Sequence, residues 1–314
     1  MLYALDLHTN QLVAANQVTS QKNLLCPGCH SPVILRKGAH KVAHFAHYRH
    51  SCHTFTEGET QEHLQGKKLL VKQLQQWPGN TTVEAVLPQL SQRPDVLYQD
   101  QDYRLALEYQ CSPLATKRLI QRSRGYHQHG FQYCWLLGRR YQIKHKLTAQ
   151  IAQFIRWHQH LGYYLLYIEV GRAQFEVLYN IQMADFLPPR YFCYRTSAFE
   201  QLQQFMHEPQ ELFVFPITPE QRRKQLYQLE RTWRFPSRHV RKLQNLCYQR
   251  QQNLLRLGPE FLATEYEPPF FAGWAYAWRL QRYLGAEEVA QRELYQQPFI
   301  KQKEILEKII DKWM

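Results

Sequence analysis

The sequence lacks any segment that would anchor it in a membrane or direct its export. No apolar run approaches the roughly 20 residues that a transmembrane helix needs. Residues 1–5 are followed by Asp6 and His8 without a basic start, so no secretory leader is recognisable. Internal repeats are absent, and glutamine, although frequent, forms no long tract. These absences predict a cytoplasmic protein.

Cysteine is scarce and irregularly spaced. The chain has 7 cysteines, an odd number that does not suit a disulfide framework. In a reducing compartment such residues are free thiols or metal ligands. Only Cys26 and Cys29 lie close together in the sequence, and the remaining five are scattered at Cys52, Cys111, Cys134, Cys193 and Cys247.

Acidic residues are also in deficit. The 26 Asp and Glu residues face 39 Lys and Arg residues, which leaves a net charge of +13. Such an excess indicates a polyanionic partner, with nucleic acid favoured and an acidic membrane surface as the rival. A length of 314 residues with 44% hydrophobic residues is enough for two or three domains with cores of their own.

The segment 26–53 has the composition of a zinc site. Cys26 and Cys29 flank a Pro-Gly turn, which directs two sulfurs the same way, and zinc commonly takes four nitrogen or sulfur ligands. Cys26 and Cys29 with two of His44, His47 and Cys52 would complete such a site. The alternative is a pair of free thiols beside a basic histidine surface, in which Phe45 could contact nucleic acid.

The segment 56–77 predicts an amphipathic helix. At 100° per residue, one stripe of the helix is polar at its N-terminal end and apolar at its C-terminal end. It consists of Glu59, His63, Lys67, Leu70 and Leu74. The apolar end should face a core, which would bring the polar end close to whatever the helix packs on. Alternatively, the N-terminal tip of the helix overhangs into solvent and these polar residues are simply exposed.

Three short strands are predicted next, over 81–88, 93–98 and 103–110, and each carries one carboxylate: Glu84, Asp95 and Glu108. On the third strand, alternation places Glu108 and Gln110 on one face and Tyr109 on the other. Two carboxylates on neighbouring strands suit Mg²⁺ or Mn²⁺, which could activate water against a phosphodiester. Exposed carboxylates on an ordinary hairpin are the alternative.

A basic helix and a further strand complete this α/β unit of about 80 residues, which lies within the usual size range of a domain. The helix is expected over 112–126, with Ser112 as its N-cap and Pro113 at its first position. The strand is expected over 131–137.

The second half of the chain predicts a helix over 149–157, a hairpin over 161–179, and helices beyond residue 218 in which basic residues alternate with aromatic ones. Such a mixture suits single-stranded DNA, because bases stack on rings and phosphates pair with cations. Core aromatics and solvated helix faces are the alternative. The candidate DNA-binding residues of the whole chain are Arg93, Lys117, Arg118, Arg122, Arg124, Arg222, Arg223, Lys224, Arg241 and Lys242.

Taken together, these motifs resemble the competence protein CoiA family over residues 1–140. They are C-P-G-C at 26–29, H-F-A-H at 44–47, Glu59 with His63 and Lys67, Glu84, R-P-D-V at 93–96, E-Y-Q-C-S at 108–112, and Trp135.

The resemblance implies an α/β (α+β) fold: a zinc-ribbon-like module over 1–55, a restriction-endonuclease-like PD-(D/E)xK core over 56–142, and a basic, mainly helical region over 143–314. Asp95 matches the first acidic position and Glu108 the second. Glu59 or His63 matches the acidic position of the first helix, and Glu84 assists. Gln110 stands where the superfamily commonly has lysine, so Lys67 could supply the missing charge from the helix.

The resemblance also implies a role in natural transformation, in which single-stranded or branched DNA recombines through the RecA recombinase. Two functions are expected on this basis. One is a metal-dependent nuclease, and the other is a catalytically inactive mediator that binds DNA and RecA. An RNA-processing protein is a weaker alternative.

Overall fold

The computed structural model describes residues 3–9, 11–18, 23–27, 30–38, 41–48, 60–286 and 294–300. The chain divides into two compact units. The first comprises residues 1–141, 166–176 and 195–202, and the second comprises residues 142–165, 177–194 and 203–314.

The N-terminal part of the first unit is built from two small antiparallel sheets. One has the strand order β2-β1-β3 and the other pairs β4 with β5. Their core contains Ala4, Ala15, Leu24, Cys26, Val33 and Phe45. The strands are β1 (Tyr3–Asp6), β2 (Leu12–Ala14), β3 (Leu24–Leu25), β4 (Val33–Gly38) and β5 (Lys41–His47).

The rest of the first unit places helices against a mixed sheet. Helix α1 (Gln61–Leu74) begins after Thr60, whose hydroxyl caps His63 N, and buries Lys67, Leu70 and Leu74. It packs on β6 (Asn80–Val83), β7 (Val96–Gln99) and β8 (Arg104–Gln110), and α2 (Thr116–Gln128) packs on β9 (Gln132–Leu137).

The sheet has the strand order β13-β12-β11-β9-β8-β7-β6, in which β11 is Gly162–Glu169, β12 is Gln174–Gln182 and β13 is Arg190–Thr196. Strands β6, β7 and β8 form an antiparallel meander. Strand β9 is parallel to β8, so the connection between them crosses the sheet through α2. Strand β11 is in turn parallel to β9.

Two boundaries in this unit differ from the sequence prediction. Strand β6 ends at Val83 rather than continuing to residue 88, because Glu84 has a positive φ of 53° that breaks the extended backbone. Helix α2 begins at Thr116 rather than Pro113. Ser112 is not its cap, because the Ser112 carbonyl accepts hydrogen bonds from Gln110 Nε2 and the Tyr141 hydroxyl and fixes the chain before the helix.

The second unit combines strands with a helical cluster. The predicted helix over 149–157 is shorter, because residues 156–158 form a strand antiparallel to β11 instead of a further helical turn. In the helical cluster, α5 (Pro219–Arg234), α6 (Arg238–Gln249) and α8 (Ala275–Tyr283) share a core that includes Leu229, Leu243, Cys247 and Leu280.

The remaining strand is β10 (Arg156–His158). The remaining helices are α3 (Ala149–Ala152), α4 (Phe199–His207) and α7 (Leu254–Leu257). The last part of the region in which helices are predicted beyond residue 218, residues 301–314, lies outside the described residues. Within the described ranges, no helix is both long and apolar enough to traverse a bilayer.

Candidate active site

Asp95 and Glu108 meet at the start of β7 and the end of β8. Val96, the first residue of β7, pairs with Leu107 of β8, so Asp95 immediately precedes β7 and Glu108 immediately follows the paired Leu107. The hairpin therefore brings the two carboxylates close enough for the Asp95 charge to raise the pKa of Glu108.

Asp95 is held by the first helix and by the neighbouring strand. Its Oδ2 atom lies 3.0 Å from His63 Nε2 and accepts a hydrogen bond of 2.8 Å from the backbone N–H of Tyr109. Burial pushes the pKa of Asp95 upward, but His63, Lys67 and the Tyr109 N–H together hold it well below its usual range. Asp95 is thus an ionised carboxylate with a fixed orientation.

Glu108 is buried and bound from α2. The Arg122 guanidinium and the Tyr126 hydroxyl both donate to its Oε1 atom. Burial raises the pKa of Glu108 to about 6; the Asp95 carboxylate adds to the rise and Arg122 opposes it. Because Arg122 and Tyr126 are one helical turn apart, both reach the same carboxylate from one face of α2.

Glu84 forms the third buried ionic group of this site. Lys67, which is 0% exposed, donates to its Oε1 atom, and Arg93 Nη1 lies 3.2 Å from its Oε2 atom. The Glu84 N–H also donates to the Asp95 carbonyl at 3.0 Å, so Glu84 is fixed beside β7. His63 and Lys67 are four residues apart on α1, which explains why both face the carboxylates.

Gln110 is buried beyond Glu108 on the same strand face, and its amide Nε2 donates to the Ser112 carbonyl at 2.7 Å. This hydrogen bond between the Gln110 side chain and the Ser112 backbone stabilises the segment between β8 and α2. The position that would hold the usual lysine therefore has a local structural role here.

The three carboxylates face an equal number of permanent cations. Glu84, Asp95 and Glu108 carry three negative charges, and Lys67, Arg93 and Arg122 carry three positive ones. The charges of these six residues balance one another, as expected when charges are buried. In the described part of the chain, no group of three or more His, Cys, Asp or Glu side chains is arranged to hold a metal ion.

Two carboxylates can nevertheless suffice for Mg²⁺, which proteins commonly bind through one or two carboxylates together with phosphate oxygens and water. Asp95 and Glu108 provide that donor set if Arg122 leaves Glu108. The residues therefore fit a metal that arrives with a phosphate better than a permanently resident one.

Comparison with known proteins identifies the family. The sequence profile described as "Competence protein CoiA, nuclease-like domain" matches residues 59–204, and the one described as "Competence protein CoiA, N-terminal domain" matches residues 7–55. The chain belongs to the competence protein CoiA family. The mixed α/β architecture of the first unit agrees with the restriction-endonuclease-like core expected for a nuclease-like domain.

The chain is also similar to the competence protein CoiA of Bacillus subtilis (strain 168), with 32% identity over 124 residues. That match spans 39% of this chain and 33% of the Bacillus subtilis protein. No solved structure matches the chain. The family supports a role in competence.

The predicted zinc ligands are only partly described. Cys26 is buried in the N-terminal core, whereas Cys29 and Cys52 lie outside the described residues. His44 and His47 are three positions apart on β5 and therefore face opposite sides of the ribbon. His47 shares the side of the buried Phe45, so alternation favours His47 over His44 as a partner for Cys26.

The candidate DNA-binding residues fall into two groups. Arg93, Arg122 and Arg222 bind protein groups: the first two belong to the ionic site, and Arg222 donates to the carbonyls of Pro259 and Ala263. Those that are exposed or half-buried on helix surfaces are Lys117, Arg118, Arg124, Arg223, Lys224, Arg241 and Lys242. Glu59, the acidic candidate of the first helix, lies outside the described residues.

Tyr126 is the site residue that the sequence interpretation missed. It is completely buried and binds Glu108. Its spacing of four residues from Arg122 was the available signal, since that spacing places both on one helix face. Because Arg122 was predicted to bind DNA, the face of α2 that it shares with Tyr126 was not predicted to contact Glu108.

Proposed function

We propose that this protein binds single-stranded or branched DNA during transformation and that its nuclease-like core cuts or trims that DNA with Mg²⁺ or Mn²⁺. The observation that carries the proposal is the pair of carboxylates, Asp95 and Glu108, at neighbouring ends of β7 and β8, with His63 and Lys67 of α1 beside Asp95. The excess of basic residues supplies the attraction for DNA.

In this proposal, each residue of the site has a separate task. Asp95 and Glu108 hold the metal, which activates a water and stabilises the charge that develops on the phosphodiester. His63 orients Asp95 through its hydrogen bond. Lys67 supplies the positive charge that Gln110 lacks, because it already lies close enough to lower the pKa of Asp95.

Cutting of labelled single-stranded and branched DNA in Mg²⁺ or Mn²⁺ tests the proposal. The variants Asp95→Asn and Glu108→Gln should each abolish it, since each removes a charged metal ligand and keeps the shape of the side chain. The matched control is Asp102→Asn in the exposed turn between β7 and β8, which should cut like the natural protein. Equal cutting by all four proteins would refute the assignment.

A second function is favoured by the charge balance of the site. Glu108 is already paired with Arg122, and the Gln110 amide is already hydrogen-bonded to the Ser112 carbonyl. Both contacts suit a nuclease fold that binds DNA without cutting it. Such a protein would help RecA act on the incoming strand. Only the family resemblance indicates RecA as the partner. In this case DNA binding should survive Asp95→Asn, fall steeply with salt through counterion release, and occur without cutting. Binding that does not change with salt would contradict both functions.

A further inference from the structure

A cavity of about 1010 Å³ opens in the second unit. Helix α6, the start of α8 and the segment after β12 contribute to its wall. Protein pockets that bind small ligands commonly measure about 300–1,000 Å³, so the cavity has room for a ligand of nucleotide size. It belongs to a different unit from the carboxylate site.

The lining of this cavity is basic. Lys146, His239 and Lys242 lie in its wall. Among the described lining residues, the one acid is Asp185, whose side chain is 0% exposed. Asp185 accepts hydrogen bonds from the backbone N–H groups of Ala263 and Tyr276 and pairs with Arg279, so its charge is compensated from within the protein. The cavity therefore attracts an anion.

Two half-buried aromatic rings form one wall of the cavity. The ring centroids of Phe186 and Trp274 are 4.7 Å apart, and Tyr276 stacks behind them. Phe186 has a φ of 62°, a left-handed conformation that is rare for a bulky residue. The backbone thus holds this ring against Trp274 at the expense of an unfavourable local conformation. Such a wall suits a planar ligand group.

Gln281 of α8 adds a polar group to the lining of the cavity. The residue is 3% exposed, and its Oε1 atom has no hydrogen-bond partner among the residues that the structure describes. Buried polar atoms are nearly always hydrogen-bonded, so an exception needs an explanation. A ligand that donates a hydrogen bond to this oxygen provides one.

We propose that this cavity binds a nucleotide. Its base packs on Phe186 and Trp274, its phosphate pairs with Lys146 and Lys242, and its exocyclic amine donates to Gln281 Oε1. Adenine and cytosine carry such an amine, whereas thymine does not. The nucleotide could be free or part of a single strand. The inference does not depend on metal binding at Asp95, because the two sites lie in different units.

Fluorescence anisotropy of the full chain with labelled DNA of about 12 nucleotides, a length within the usual range of single-strand sites, tests this inference. The probes are oligodeoxyadenylate and oligodeoxythymidylate. Natural protein should bind the adenylate strand more tightly. Lys242→Gln should weaken binding to both strands about tenfold, a change that corresponds to about 1.4 kcal/mol. Gln281→Leu should remove the preference for adenylate.

The matched control for lost charge is Arg250→Gln, at the end of the same helix α6 and outside the cavity wall. It should bind both strands within twofold of the natural protein. A Gln281→Leu variant that keeps the preference, or an Arg250→Gln variant as weak as Lys242→Gln, would overturn the proposal. Since Lys242 is exposed, its variant should fold and remains a valid test if Gln281→Leu does not.

Competition with free deoxyadenosine monophosphate distinguishes the two sources of the ligand. Displacement of the strand by the mononucleotide at similar concentrations indicates a free nucleotide site. Displacement only by unlabelled single strands indicates that the cavity takes one nucleotide of a strand. Displacement by neither, with unchanged binding of the Lys242→Gln variant, would show that DNA binds elsewhere. If Asp95→Asn abolishes cutting and leaves the adenylate preference intact, the two sites act independently.

Discussion

Replacing Arg122 by glutamine should destabilise the protein in a way that depends on pH. Arg122 donates to the buried Glu108, whose side chain is 5% exposed, and its own side chain is 20% exposed. Breaking a buried ion pair costs about 3–5 kcal/mol, because one charge is left without its partner. Since Arg122 is partly accessible to water, the lower end applies. The free energy of unfolding should fall by about 3 kcal/mol near pH 7.

The cost should shrink on acidification. Burial already raises the pKa of Glu108 to about 6, and removing the opposing Arg122 cation should raise it further. A carboxyl group whose pKa is raised in the folded state stabilises that state below the unfolded pKa, and this contribution is lost as pH rises through the folded pKa. Both proteins should therefore gain stability from Glu108 between about pH 7 and pH 5, and the variant should gain about 1 kcal/mol more.

Urea unfolding at the two pH values measures these differences. Adding Glu108→Gln to the variant should restore much of the stability near pH 7, because the uncompensated charge is then gone. Arg140→Gln, which removes an exposed arginine from the same unit, is the control and should change the free energy of unfolding by less than about 0.5 kcal/mol. A loss below about 1 kcal/mol with no pH dependence would show that Glu108 does not need Arg122.

Two further changes test other parts of the first unit. Gly66→Ala should lower the free energy of unfolding by about 1–3 kcal/mol, because a Cβ atom there would lie 2.1 Å from a ring carbon of the buried Tyr109. Helix propensity alone predicts that the same change raises the free energy of unfolding, so a stabilised variant would exclude this close approach. Gln65→Ala on the exposed side of α1 is the control for helix propensity. Metal analysis of the purified protein should find one zinc ion, lost in the Cys26→Ser variant and retained in His44→Ala. Zinc that is absent from the natural protein would exclude the site, and zinc retained by Cys26→Ser would exclude Cys26 as its ligand.

Periodicity and alternation were enough to predict the parts of the site that depend on one element at a time. The helical stripe of α1 placed Lys67 on the side of Leu70 and Leu74, and all three are buried in the structure. Alternation along β8 separated Glu108 from Tyr109 in the same way. These patterns are local, so the sequence contains them without reference to the rest of the fold.

The partners of the carboxylates could not be predicted, because they depend on which charges become buried together. Arg93 and Arg122 were expected at a DNA surface, yet each faces a carboxylate of the same unit. The left-handed Glu84 and the delayed start of α2 have the same kind of cause. Each follows from a tertiary hydrogen bond, from Glu84 N–H to the Asp95 carbonyl and from the Tyr141 hydroxyl to the Ser112 carbonyl. Local propensity does not contain such contacts.

The pairing of the three carboxylates with three cations links metal binding to DNA binding. A divalent cation placed between Asp95 and Glu108 while Arg122 still binds Glu108 would add two positive charges beside a guanidinium, which opposes binding. A DNA phosphate brings a negative charge and an alternative partner for Arg122, and phosphate oxygens can complete the coordination of Mg²⁺. A nuclease built on this site should therefore take up its metal together with DNA. Weak metal binding by the DNA-free protein is compatible with both proposed functions, whereas strong binding that needs DNA and both carboxylates is expected of the nuclease alone.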